Sequence, residues 1–403
     1  MHKRFLVWDN PQDAIITIVL ILMALGAVNV FSASFVVAEA MFNNGYHYLL
    51  RYMGFGLAGL VVMYYVGWRK DYHSWLKKRN IIFWGCFAVL VAVDAFGKTT
   101  KGAQRWLVIG SFSFQPSEFV KLAVIIFGAS YLGQLMEKNI RPHLKGWKVC
   151  KAFLGAGLLA FMVLIQPDMG TGSIIMGIMI MLYIIAGLPL KEVGLLGALG
   201  GGFVIAAIAV APYRLKRVLI WLNPWADAQG NGYQAVQSFV SIGSGGFTGN
   251  SFGMGTGKFF FLPEAHTDFA FAIFCQEWGF LGALLLLSIF LLLAAAIYRV
   301  GQHTTDKAGY LLVMGADFLI VGQAIANMAM VTGLLPVIGV PLSFISYGGT
   351  SLVATLLAVG LVISVYRVEI KREKEKLAQQ PAFLRNNSLK STRGRSALTR
   401  RWH

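Results

Sequence analysis

The run AIITIVLILMALGAVNVFSAS, residues 14–34, decides the fold class. It contains no charged residue and, at about 20 residues, it is long enough to cross a hydrocarbon core of ~30 Å as a helix. Lys3 and Arg4 precede it as they would in a signal peptide, but the apolar region of an ordinary signal is shorter. We therefore predict that this run forms the first transmembrane helix.

Similar apolar blocks recur along the 403-residue chain, which is 57% hydrophobic and 13% charged, against roughly 25% charged in soluble domains. We predict transmembrane helices at 14–34, 48–67, 81–97, 119–135, 152–165, 171–188, 193–211, 270–298, 310–335 and 342–366. The predicted fold class is an all-α integral membrane protein, a polytopic bundle of about 10 transmembrane helices. Its parts are a cytoplasmic N-terminus (1–13), a membrane domain (14–366), a large extracytoplasmic loop between helices 7 and 8 (212–269) and a basic cytoplasmic tail (367–403).

The formal net charge of +17 reflects topology rather than nucleic-acid binding, because the basic residues lie in the tail and in short gaps between apolar blocks. With a cytoplasmic N-terminus most gap cations fall inside, and an even helix count returns the tail to the same side. The exceptions, in predicted outside gaps, are Lys98, Lys101, Arg105, Arg214, Lys216, Arg217 and Lys258. Since topology disfavours cations there, we predict that some bind an anionic ligand; solvated loop charges are the alternative.

Polar motifs rich in Gly and Pro also crowd the predicted outer side. They are GAQRW at 102–106, QPSE at 115–118, QPDMGT at 166–171, NPWAD at 223–227, GYQ at 232–234, LPEAHTDF at 262–269 and ISYGGTS at 345–351. Irregular backbone at membrane depth is tolerated only where it is buried in protein or lines a cavity. We therefore expect these motifs to converge on one outward-facing, partly hydrated cavity.

Three ionisable residues in these motifs are candidates for function, because charges at membrane depth are costly. Glu118 and Lys121 are three residues apart on one helix face and can pair; a structural ion pair is the alternative. Asp268 stands at the membrane edge before an apolar helix, where a helix cap is the alternative. His266 is two residues away, but two ligands make no metal site. The scattered cysteines offer neither a metal site nor a disulfide framework.

Taken together and in order, these motifs resemble the SEDS family (shape, elongation, division and sporulation) over roughly residues 12 to 370. NPWAD, GYQ and Ala265 favour the division branch, FtsW, or its sporulation relative, because elongation-type RodA proteins often have Arg at the position of Ala265. Two residues depart from the family pattern: Gln276, where an acid usually stands beside Glu277, and Ser343, where a proline is common.

The resemblance implies a peptidoglycan glycosyltransferase that polymerises lipid II on the outer face of the bacterial cytoplasmic (inner) membrane. It also implies a class B penicillin-binding protein and other divisome proteins as partners, without nucleic acid. By the family pattern Asp268 is the catalytic general base. The predicted substrate-binding residues are Arg105, Lys258, Arg214, Glu118, Lys121, His266 and Ser346. The cations would stabilise the diphosphate leaving group. Mg²⁺ could assist there, although no dedicated metal or other cofactor site is recognisable.

Two other classes of function stay open. A flippase for lipid II would fit the helix count, but it should have polar groups through the depth of the bundle rather than at one side. A non-catalytic scaffold for division proteins would leave Asp268 and the outside cations without a role. The same enzyme could also serve elongation or sporulation, which depends on partners and timing.

Overall fold

The computed structural model describes residues 10–100, 103–109, 112–144, 147–210, 212–251, 253–255, 257–259 and 262–379. The first half contains α1 (Pro11–Phe42), α2 (His47–Tyr64), α3 (Tyr72–Lys77), α4 (Arg79–Phe96), β1 (Lys98–Thr100), β2 (Ala103–Ile109), β3 (Phe112–Phe114), α5 (Ser117–Glu137), α6 (Trp147–Ile165) and α7 (Met169–Ile185). The second half contains α8 (Leu190–Val210), α9 (Pro212–Leu222), α10 (Tyr233–Gly245), α11 (Ala270–His303), α12 (Lys307–Asp317), α13 (Gln323–Val331) and α14 (Gly349–Gln379).

Seven helices in the described part of the chain are long and apolar enough to cross a membrane. They are Pro11–Phe42, His47–Arg69, Arg79–Phe96, Ser117–Glu137, Ala270–His303, Lys307–Val331 and Gly349–Gln379. Two shorter apolar helices, Lys151–Ile165 and Met169–Ile185, coincide with further predicted spans. The chain is therefore a multi-pass helical membrane protein, as predicted, while the count of about ten stays a prediction.

Burial separates central from peripheral helices. Most of α5 and α14 is buried inside the bundle, whereas α4 exposes large side chains such as Ile81, Trp84 and Phe96. A helix that is apolar and yet exposed is suited to face lipid. The core is thus built around α5 and α14, and these two helices connect the two ends of the bundle.

The predicted end of the ninth span and the predicted start of the tenth span are both wrong. Helix α13 ends at Val331 rather than 335, and α14 begins at Gly349 rather than 342. Residues 332–348 between them form an irregular segment, which we call the 332–348 loop. Phe344 in this loop has a positive φ of 64° and is buried. A loop buried inside the bundle is rich in apolar residues, as a helix in lipid is. A prediction from hydropathy therefore extended both helices into this loop.

Three further features differ from the predicted arrangement. The gap before α5 holds a small antiparallel sheet of order β1-β2-β3, which the sequence did not predict. Helix α11 is interrupted at Gly279, whose φ of 68° divides it into 270–278 and 280–303. The predicted loop 212–269 is partly helical, since it contains α9 and α10.

Candidate active site at one end of the bundle

Four of the sequence motifs immediately precede or begin a helix at the same end of the bundle. Helix α5 begins at Ser117, α7 at Met169, α11 at Ala270 and α14 at Gly349. The contacts described below join these starts to the 332–348 loop. We call this the motif end, and it is the end where the sequence predicts an outward-facing cavity.

The 332–348 loop connects the motifs because it touches several helices at once. Its backbone carbonyls accept hydrogen bonds from Gln323 Nε2 to Pro341 O (3.1 Å), Asn327 Nδ2 to Val340 O (2.6 Å) and Tyr52 Oη to Phe344 O (2.5 Å). Gly170, in the QPDMGT motif, packs so closely that a Cβ there would overlap the carbonyl oxygen of Ile338. Buried irregular backbone is thus satisfied by side chains, as it must be in a bundle core.

Asp268 lies beside this loop. Its backbone carbonyl accepts a hydrogen bond from Asn327 Nδ2 at 2.8 Å. Gly339, with a φ of 66°, is so near that a Cβ built there would lie 3.6 Å from Asp268 Oδ2. The residue in the N-cap position of α11 is Phe269, and that cap carries no side-chain hydrogen bond. Asp268 therefore lies one residue before the N-cap position of α11.

His266 belongs to an aromatic cluster next to Asp268. Its ring centroid is 4.6 Å from that of Tyr48, and its carbonyl accepts a hydrogen bond from the Tyr347 amide at 2.8 Å. Burial raises the pKa of Tyr347, and a hydrogen bond from Arg51 opposes that rise. Arg51 was not predicted from the sequence, although a cation close to the outer end of the second span was a usable signal.

Arg105 holds the turn of the QPDMGT motif. Its Nε donates to Gln166 O at 3.0 Å, a second guanidinium nitrogen donates to Pro167 O, and Asp168 Oδ1 is 3.9 Å away. Asp168 in turn caps α7 by accepting from the Thr171 amide at 3.1 Å. The Arg105 side chain remains 30% exposed, so it can both order this turn and face a ligand.

Glu118 and Lys121 form the buried pair that their spacing allowed. Lys121 Nζ is 2.8 Å from Glu118 Oε2 and 2.7 Å from Gln323 Oε1, and both charged side chains are almost fully buried. Gln323 also donates to Pro341 O. The pair therefore connects α5 to the 332–348 loop, which matches the structural-pair alternative better than direct contact with substrate.

Lys258, one of the predicted substrate-binding cations, is buried in an ion pair. Its Nζ is 3.1 Å from Glu277 Oε1 and 3.0 Å from Ser32 Oγ, with side-chain exposures of 6% for Lys258 and 1% for Glu277. This group of three residues fixes the segment after α10 to α1 and α11. Gln276 fixes the same segment, because its Oε1 accepts from the Gly257 amide at 3.0 Å. The paired acid that the family pattern offers is thus replaced by a neutral structural contact.

Two predicted site residues remain, Ser346 and Arg214, and the structure describes the side chain of Ser346 only. Ser346 Oγ accepts a hydrogen bond from the Leu342 amide at 2.9 Å and is buried, so it closes a turn of the 332–348 loop. Arg214 lies in α9, but its side chain is outside the described part of the structure.

Among the described residues no group of three His, Cys, Asp or Glu is arranged to hold a metal. A role for Mg²⁺ stays a prediction.

The fold and the site define a class: a multi-pass helical membrane protein whose polar motifs meet at one end of the bundle. Comparison with known proteins identifies the family. The model of the FtsW/RodA/SpoVE family, described as a cell cycle protein, matches residues 12–371, and the chain belongs to this family. The predicted resemblance is confirmed.

Similar relatives carry two kinds of names. The chain is 37% identical over 361 residues to stage V sporulation protein E of Bacillus subtilis, which covers 89% of this chain and 97% of the relative. It is 36% identical over 384 residues to the probable peptidoglycan glycosyltransferase FtsW of Thiomicrospira cyclica, covering 92% of this chain and 96% of the relative.

Solved structures share the fold. One, from work on the structural coordination of polymerization and crosslinking by a peptidoglycan synthase complex, matches with a TM-score of 0.74 and 27% identity over 91% of this chain and 99% of the other. The rod shape determining protein RodA of Thermus thermophilus matches with a TM-score of 0.65 and 25% identity, also over 91% of this chain and 99% of the other.

Proposed function

We propose that this chain is a peptidoglycan glycosyltransferase that polymerises lipid II into glycan strands on the outer face of the cytoplasmic membrane, for septal wall synthesis in cell division. The observation that carries the proposal is the position of Asp268, a carboxylate beside the loop on which four motifs meet. Family membership and relatives named as glycosyltransferases support it.

Asp268 is the general base of the proposed reaction. Glycosyl transfer with inversion needs one carboxylate that removes the proton of the acceptor hydroxyl as that oxygen attacks the anomeric carbon. Asp268 is partly exposed, and it stands outside the regular hydrogen bonding of α11. Gly339 supports this assignment, because the missing side chain leaves space next to Asp268 Oδ2.

The lipid diphosphate leaves with negative charge, so the site must stabilise an anion. Helices α5, α7, α11 and α14 all begin at the motif end, and helix N-termini favour anions. We assign Arg105 and Arg51 as cations of the site, and Arg214 remains a candidate. The buried contacts of Lys258 with Glu277 favour a positioning role for that lysine.

The partner and the orientation belong to the same proposal. The similar synthase complex couples polymerization with crosslinking, which supports a class B penicillin-binding protein as partner, with other divisome proteins. Both termini would be cytoplasmic and the motif end would face outward from the bacterial inner membrane. The 37% identity to a sporulation protein supports sporulation as a second role for the same chemistry.

Polymerisation and flipping of lipid II separate the enzyme from a transporter. The purified chain, alone and with its transpeptidase partner, is given lipid II in detergent, and glycan strands are resolved by gel electrophoresis. In parallel, the chain in liposomes is tested for movement of fluorescent lipid II between leaflets. We expect strands without flipping; flipping without strands would replace the proposal with a transporter.

A further inference from the structure

A second polar feature lies at the opposite end of the bundle from Asp268. It is a cleft of about 620 Å³ whose lining includes His73, Lys77, Arg79, Glu137, Asp306 and Arg372. We call it the α3–α14 cleft. Glu118 and Glu137 lie near the two ends of α5, and the nineteen helical steps from one to the other correspond to roughly 28 Å at 1.5 Å per residue. The cleft is therefore distinct from the candidate active site.

The acid at the edge of the cleft is already satisfied by neutral donors. Asp306 accepts hydrogen bonds from the Tyr72 hydroxyl at 2.7 Å and from the Gly309 amide at 2.9 Å, and it caps α12. Burial alone would raise the pKa of Asp306, but these hydrogen bonds, a further one from the Ala308 amide and the nearby His73 ring together outweigh burial and lower it. Its charge is thus used by the fold, which leaves Glu137 as the free acid of the lining in the described part of the chain.

Arg79, unlike Asp306, keeps most of its hydrogen-bonding groups available. Arg79 donates to Ser130 Oγ at 2.6 Å, and its guanidinium carbon lies 4.1 Å from the centre of the Tyr131 ring. No carboxylate of the described residues lies within ion-pair distance of it. Stacking on Tyr131 holds the planar group in one orientation while most of its five N–H donors stay available.

Arg372 and Lys77 add positive charge to the same space. Arg372 shares its guanidinium between Glu369 at 3.1 Å and the ring of His73 at 3.2 Å, while Lys77 is exposed. An arginine fork fixed in place matches the geometry of phosphate oxygens. The volume lies within the roughly 300–1,000 Å³ of small-molecule sites, so it accommodates more than a bare phosphate.

We propose that the α3–α14 cleft binds a phosphate group, with Arg79 as the principal donor and Lys77 and Arg372 as supporting cations. The phosphate can belong to an anionic phospholipid headgroup or to a soluble phosphorylated molecule. Basic pockets between helices at a membrane surface commonly take headgroups of this kind. Helices α5 and α14 extend from the cleft to the motif end, so both sites are built on these two helices.

Binding to the full-length chain, purified in an uncharged detergent, tests the proposal by isothermal titration calorimetry. The probes are dihexanoyl phosphatidylglycerol and glycerol 3-phosphate. Saturable binding of the lipid at least tenfold tighter than glycerol 3-phosphate identifies a headgroup site, and comparable affinities identify a soluble phosphate. Absence of saturable binding for both probes overturns the proposal.

Three variants test whether binding occurs in this cleft, and they are expected to weaken it, tighten it and leave it unchanged. Arg79→Gln should weaken binding about tenfold or more, since charge-assisted hydrogen bonds are lost. Glu137→Gln should tighten it, because a repelling carboxylate is removed, and misfolding cannot produce that result. Lys374→Gln removes an exposed cation two residues beyond Arg372 and outside the lining, and it should leave affinity unchanged. Equal affinity in wild type, Arg79→Gln and Glu137→Gln would refute the assignment.

Discussion

Replacing Lys258 with Met should destabilise the protein more than most single changes. The substitution removes the cation that lies 3.1 Å from Glu277 Oε1 and leaves this carboxylate, with a side chain 1% exposed, without its ion-pair partner. Breaking a buried ion pair by removing one partner costs about 3–5 kcal/mol. For a chain of this length that corresponds to a fall in apparent melting temperature of roughly 4–6 °C.

A double variant makes the reasoning testable. Lys258→Met with Glu277→Gln removes both charges, and Ser32 can still hydrogen bond to the new amide. Replacing both partners of a buried pair is often close to neutral, so most of the lost stability should return. Thermal unfolding in detergent, followed by size-exclusion chromatography, measures all three proteins. A single variant as stable as wild type, or a double variant as unstable as the single one, would refute the account of this ion pair.

The same pair of variants decides the role of Lys258 in catalysis. If the lysine positions the segment after α10, the double variant should recover both stability and polymerisation of lipid II. If it instead binds the diphosphate, the double variant should be stable and inactive. The buried contacts in the structure predict recovery of both.

Three further substitutions follow from the contacts described above. Arg105→Lys should lower polymerisation of lipid II at least tenfold in a folded protein, because lysine lacks the fork that holds two carbonyls; gel assays measure it, and full activity would contradict it. Gly339→Ala should cost about 1–2 kcal/mol of stability through its positive φ of 66°, while its Cβ would lie at an ordinary contact distance of 3.6 Å from Asp268 Oδ2; thermal unfolding measures the loss, and an unchanged melting temperature would contradict it. Tyr72→Phe removes a hydrogen bond that lowers the pKa of Asp306. A carboxylate with a lowered pKa contributes stability at neutral pH that is lost as pH falls from its unfolded pKa through its folded pKa, so this variant should melt at a lower temperature than wild type at neutral pH and should lose less stability on acidification; melting curves at neutral and acidic pH measure both effects.

Long apolar runs made the membrane helices predictable, and the exceptions have one physical cause. The run 14–34 lies within α1 because a segment of that length and composition has few other stable states in a bilayer. Residues 342–348 also carry no charge, yet they belong to the 332–348 loop, whose backbone carbonyls accept hydrogen bonds from Tyr52, Gln323 and Asn327. Hydropathy does not distinguish a buried loop from a spanning helix, since both exclude water.

The sequence motifs predicted which residues belong to the candidate site, but they did not predict the contacts between residues that are distant in the chain. Glu118 and Lys121 could be paired from the sequence because helical spacing places them on one face. The pairing of Lys258 with Glu277 and Ser32 depends on how α1, α11 and the segment after α10 pack, which no local pattern encodes. For this reason the sequence suggested a cation free to bind diphosphate where the structure has a buried ion pair.

Asp268→Asn is the most direct test of the central claim, with Asp227→Asn as its control. Asn retains the shape of Asp but cannot accept a proton, and Asp227 is a half-exposed carboxylate on the same long segment between α8 and α11. Both variants are purified, checked for folding, and given lipid II with the transpeptidase partner. We predict that wild type and Asp227→Asn form glycan strands and that Asp268→Asn forms none. Strands made equally well by a folded Asp268→Asn protein would contradict the assignment of Asp268 as the base.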